Sequence, residues 1–134
     1  NSIMVGIMSQ KGNIHLNIGR PLTSEEIAEA AQCDKNDRYQ QIRHAVDLRV
    51  IEGYKLWKNN YVAYDILNHS FKYSDMYNIS DVETFVIYME RQLDTVEKEI
   101  NREDLRRIFL EIYANPVVTK ELLEKEKRTG AILI

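Results

Sequence analysis

RPLTSEEIAEAAQCDKNDRYQQIRHAVDLRVIEGYKLWKNNYVAYDI, residues 20–66, is the stretch whose reading decides the fold. Thr23-Ser24-Glu25-Glu26 fits a capping box, in which a hydroxyl and a carboxylate satisfy each other's free backbone N–H groups. Leu22 and Ile27 occupy the two positions of a hydrophobic staple around it. A helix is therefore predicted from Thr23 to about Gln32, burying Ile27, Ala30 and Ala31. Residues 33–36 form a polar turn, and a second helix follows over about 37–52. At 100° per residue Ile42, Ala45, Val46, Arg49 and Val50 share one side of it, with Tyr39 at the edge. Gly53 supplies a C-terminal stop.

Beyond Gly53, residues 54–57 and 61–66 are rich in aromatic and β-branched side chains. Lys58-Asn59-Asn60 between them has hairpin-turn chemistry, because Asn tolerates the left-handed region. Helix, turn, helix and hairpin in that order outline a winged helix-turn-helix, a scaffold that often docks one helix on DNA. The expected fold class is thus mainly α with a small β-hairpin, continued by a C-terminal helical extension. The expected division is a winged helix-turn-helix over 1–68, a connector over 69–79 and a helical extension over 80–134.

The flanks fit that plan. Residues 3–8 are apolar and read as the end of a buried helix, broken by Lys11-Gly12-Asn13. Ile14-His15-Leu16 alternates and predicts a short strand. The segment 68–78 is polar but carries Phe71, Tyr73, Met76 and Tyr77, so it reads as a packed linker. Ser80-Asp81-Val82-Glu83 predicts another capping box. From there Val82, Phe85, Met89, Leu93, Val96 and Ile100 recur at gaps of three or four. That stripe either packs on the rest of the chain or forms a homodimer seam through Val82, Phe85, Met89, Leu93 and Val96. Asn101 can cap a further helix with the stripe Leu105, Ile108, Phe109 and Ile112. Asn115-Pro116 is expected to break it and start another helix, whose apolar face is Val118, Leu122 and Leu123 and which Gly130 closes.

The sequence from Ile3 to Ile66 resembles the amino-terminal winged-helix domain of phage replisome organisers and DnaD-type replication-initiation proteins. Four stretches carry the likeness: IMVGIMSQKGNIHL, GRPLTSEEIAEAA, VIEGYKLW and NNYVAYDILN. One departure is Arg49, which stands where such helices usually carry a leucine-like core residue. The resemblance implies DNA binding and self-assembly at replication origins. Residues 80–134 match no pattern of that family.

Composition and charge bound the function. The 134 residues carry a net charge of −3, which argues against a general polyanion binder. Residues 1–80 hold nine Lys/Arg and nine Asp/Glu, while 81–134 hold nine against twelve. Between Lys35 and Lys58, however, six bases face three acids, where a winged helix would meet DNA. Arg38, Gln40, Gln41, Arg43 and His44 are the expected DNA-contacting residues of the second helix, with Lys55 and Lys58 in the wing. Gln can read adenine edges, and the bases suit phosphate. Double-stranded DNA is accordingly the expected partner, in replication or transcription. The alternative is a protein-interaction or assembly module, which the acids Asp37 and Asp47 on the same face would suit.

An enzyme is not expected, and neither is a cofactor. His15, His44 and His69 lack metal-ligand spacing, and no Gly-rich phosphate loop exists. Cys33 is the only cysteine, so an intramolecular disulfide is impossible and a reducing, cytoplasmic setting is expected. No apolar run nears the roughly 20 residues needed to span a bilayer. No secretory signal is visible. The first residue is Asn rather than Met, which allows for sequence upstream.

Overall fold

The computed structural model describes residues 12–96 and 99–130, together with Met4 and Met8. Five α-helices run in order: α1 (Ser24–Ala31), α2 (Lys35–Glu52), α3 (Lys58–Leu67), α4 (Ile79–Leu93) and α5 (Arg102–Arg128), with a 3₁₀ turn at Ser74–Met76 before α4. The reading of residues 3–8 as a buried helix end falls, apart from Met4 and Met8, outside the described residues.

The local signals for the first two helices are realised. The Thr23 N–H donates to Glu26 Oε2 at 2.7 Å, and Glu26 N–H donates to Thr23 Oγ1 at 3.2 Å. Asp34 caps α2 by accepting from the N–H groups of Asn36 and Asp37 at 2.9 and 3.0 Å. An acidic cap also suits the positive end of the helix dipole.

The expected wing is absent. No strand occurs among the described residues, and residues 58–67 form α3 instead of a hairpin. Two forces outweigh the β-propensity of Tyr61, Val62 and Ile66. Asn60 acts as a helix-start residue, since its Oδ1 accepts the Trp57 N–H at 2.7 Å. Val62, Ala63 and Ile66 also lie on one side of a helix, where Val62 and Ala63 reach zero exposure. Strand propensity reflects fit to a half-buried surface, so tertiary packing overrides it.

The main core lies between α3, α4 and α5. Val62, Ala63, Phe85, Met89, Leu93, Leu110 and Ala114 form its centre, and Tyr77, Leu105, Phe109 and Tyr113 pack around it. It joins residues from both sides of the 68/69 position. Phe85, Met89 and Leu93, proposed above as a seam or an internal face, are enclosed here in the chain's own interior. Phe85 meets Tyr113 edge-on at 5.3 Å and 80°, a favourable geometry for two aromatic quadrupoles.

Three further expectations are corrected. The cap of α4 is Asn78 rather than Ser80. Asn78 Oδ1 accepts from Asp81 N–H at 3.0 Å, and Asp81 Oδ2 accepts from Asn78 N–H at 2.9 Å. Pro116 does not end a helix, because α5 runs through it. A proline removes a donor from the turn before it. Side chains serve neighbouring carbonyls instead: Asn60 Nδ2 donates to Tyr113 O at 2.8 Å and Thr119 Oγ1 to Asn115 O at 2.9 Å. Finally, because α5 is continuous, its buried face beyond Pro116 is Val117 and Leu123, while Val118 and Leu122 are exposed. Gly130, at φ 70°, follows α5 in the left-handed region that favours glycine.

One buried polar group organises the linker. Asp65, 3% exposed, accepts from Ser70 Oγ at 2.5 Å, Tyr73 N–H at 2.9 Å and Tyr77 OH at 2.8 Å. These bonds fold residues 70–77 back onto α3. The Tyr77 phenol is pushed up to about 12, first by burial and then by its bond to the Asp65 carboxylate. Among the described residues no helix is long and apolar enough to cross a membrane.

Candidate interaction surface

A largely buried arginine ties the N-terminal unit together. Arg49, the residue that departs from the leucine-like pattern, has a side chain only 10% exposed. Its Nη2 donates to both carboxylate oxygens of Glu26 at 2.7 and 2.8 Å, and its Nη1 donates to Ala45 O at 2.6 Å. It also reaches Pro21 O at 3.4 Å. One guanidinium therefore ties α1, α2 and the leading segment together, in place of an apolar contact. The bonds from Arg49 and from the Thr23 backbone hold the Glu26 carboxyl below its ordinary range. A carboxyl lowered in the folded state adds stability above its unfolded pKa, near 4.5, and loses it as pH falls through the folded value. In urea titrations from neutral pH down to below 4, the midpoint of Glu26→Gln is expected to fall less than that of the parent. Parallel curves would show that the pair contributes no pH-dependent stability.

The leading segment, residues 12–22, lies against the last turns of α2. At Gly53 an added Cβ would stand 2.0 Å from Asn17 Nδ2, and at Gly19 it would meet Arg49 Cβ at 3.5 Å. Gly53 has φ −74°, so glycine is required there for this close approach and not for a left-handed turn. Arg49 and Gly53 are one helical turn apart, about 6 Å along the axis. Gly19 and Asn17 are two residues apart, a span of about 6.6 Å in extended chain. The matching intervals show that the segment runs extended and antiparallel to α2.

Its side chains alternate in an unusual sense. His15, Asn17 and Gly19 face inward and line a cleft of about 700 Å³, with Arg20, Val46, Val50, Lys55, Trp57 and Pro116 among its other walls. Ile14, Leu16 and Ile18 point outward and are 80%, 81% and 87% exposed. His15, Arg20, Arg49 and Lys55 line the cleft; Arg49 is paired with Glu26, and Glu52 adjoins the cleft beside Arg20. The helices extend this apolar exposure: Ile27, Tyr39, Val46 and Val50 are all more than 40% exposed. Ala30 is buried as expected, whereas Ile27 and Ala31 are not.

The residues expected to contact DNA divide: Gln40, Arg43 and His44 share an exposed side of α2, while others are engaged within the chain. Arg38 is turned back to the end of α1, where its Nη2 donates to Ala31 O at 3.0 Å and Cys33 O at 3.4 Å. Gln41 Nε2 donates to Cys33 Sγ at 3.1 Å, which places Cys33 in a packing and capping role. Arg43 lies 3.9 Å from Asp47 on the exposed side of α2. Gln40 and His44 are exposed on the same helix. Lys55 sits over the Trp57 ring at 4.3 Å, in the connector rather than in a wing. Lys58 is the first residue of α3 and pairs with Asp81 at 2.9 Å. With no wing present, Lys55 and Lys58 belong to the connector and to α3, and Arg38 and Lys58 are engaged within the chain. The outward apolar row was the feature missed. Its alternation was legible, but not that its polar members face the protein. Among the described residues no three His, Cys, Asp or Glu side chains gather as a metal site would require.

No protein-family model matches the chain, and no curated protein or solved structure is significantly similar to it. α1 and α2 are consecutive helices joined by a short turn, and the wing that the resemblance implied has no counterpart among the described residues.

Proposed function

We propose that this chain is a helical protein-interaction or assembly module whose N-terminal unit presents an apolar surface to a protein partner. The observation that carries this reading is the outward row of Ile14, Leu16 and Ile18, each at least 80% exposed. Contiguous exposed apolar surface on a folded domain marks binding sites. Solvent gives no reason to keep three such side chains in line, while a partner that buries them does. The basic side chains add support in the negative sense, since Arg38 and Lys58 are engaged within the chain.

Duplex DNA is the second reading, and the exposed Gln40, Arg43 and His44 on α2 are what favour it. Titration of the full chain with a random-sequence duplex separates the two. At about 50 mM salt, a site that neutralises several phosphates binds measurably and weakens steeply as salt rises. The expected result is no such binding. A complex with a steep salt dependence, weakened by Arg43→Ala, would replace the protein-partner reading with the DNA one.

A further inference from the structure

We infer that residues 14–18 are a docking strand: they pair edge to edge with a β-strand of a partner whose side chains alternate apolar and acidic. The inference rests on the interaction reading above and specifies its partner.

Two independent features select that occupant. The first is the backbone. Residues 13–20 belong to no helix or ladder, and among the described residues none of their N–H groups has a backbone acceptor. An extended chain with open donors and acceptors along its edges is matched by another strand, which returns both in register. A helix laid on Ile14, Leu16 and Ile18 would cover their side chains and leave those backbone groups open.

The second is the division of the two faces. A strand added beside residues 14–18 also alternates, with one set of side chains level with Ile14, Leu16 and Ile18 and the other over the cleft. The first set must be apolar to continue the outward row. The second meets His15 and Lys55, which line the cleft but not the smaller cavity where Glu52 adjoins Arg20. Acidic side chains complement that wall, and basic ones would be repelled.

The probe is a seven-residue peptide, acetylated and amidated, of alternating Val and Glu. Amide hydrogen exchange of the labelled full-length chain is followed by NMR as peptide is added. Exchange at alternate amides within 14–18 is expected to slow by a factor of about ten at saturation. The same peptide N-methylated at alternate residues keeps its side chains but loses its donors, and is expected to give no protection. A Val–Lys peptide is expected to bind more weakly than Val–Glu. Leu16→Pro, which removes a donor with no backbone partner among the described residues, should abolish protection while leaving the circular dichroism unchanged.

Equal protection by the methylated peptide would overturn strand pairing, as would no protection of residues 14–18 by any peptide. Equal protection by Val–Lys would overturn the acidic assignment. None of these outcomes depends on the duplex titration, so the pairing can fail while the interaction reading stands.

Discussion

Asp65→Leu is expected to destabilise the protein by on the order of 4 kcal/mol. The carboxylate is 3% exposed and accepts three hydrogen bonds. Leucine keeps the branched skeleton, but its methyl groups are bulkier than the carboxylate oxygens and accept no hydrogen bond. The Tyr73 N–H and the Ser70 and Tyr77 hydroxyls would then need new partners in a partly closed site, at about 1–3 kcal/mol for each donor that finds none. The hydroxyls can rotate toward solvent, but the amide cannot, which holds the total below the sum of three full penalties. Asp65→Asn keeps one acceptor and should cost less. Urea unfolding followed by circular dichroism gives both values. If the leucine variant matches the parent, the linker is not held by this group.

Phe85→Ala should cost about 3–5 kcal/mol, the usual range for removing a buried ring. Phe85 is 1% exposed and packs against Phe109 at 6.0 Å and Tyr113 at 5.3 Å. Its neighbours come from a different helix, so the void cannot close without moving α4 against α5. Ile87→Ala on the same helix is the control. Ile87 is 53% exposed, and surface substitutions usually stay within about 0.5 kcal/mol. Similar losses in the two variants would mean that α4 is not docked by its Phe85 face.

What the sequence revealed divides along a physical line. Features set by neighbours within four residues were legible. Thr23 and Glu26 satisfy each other locally, and Asn101 caps α5 by accepting from Glu103 and Asp104 N–H at 2.8 and 3.2 Å. Features that depend on distant partners were not. The run from Tyr61 to Ile66 has strand-like composition, and only α5 lying alongside makes a helix the better way to bury Val62 and Ala63. Pro116 reads as a stop until Asn60, far away in sequence, is seen beside the proline turn. Arg49 stood out as a misfit in an apolar pattern, but its partner Glu26 lies on another helix. The charge count around Lys35–Lys58 was correct, yet a count cannot say that Arg38 caps one helix and Lys58 pins another.

The ties from α2, the connector and α3 to the longest helix set the order in which it can come away. Lys127 Nζ donates to Glu52 Oε1 at 2.7 Å, Lys120 Nζ to Tyr54 O at 2.6 Å, and Asn60 Nδ2 to Tyr113 O at 2.8 Å. These three clasps grip a single 27-residue rod at separate heights. Fraying of α5 from its C-terminal end would release Glu52 first and Tyr54 next, and leave Asn60 bound to Tyr113.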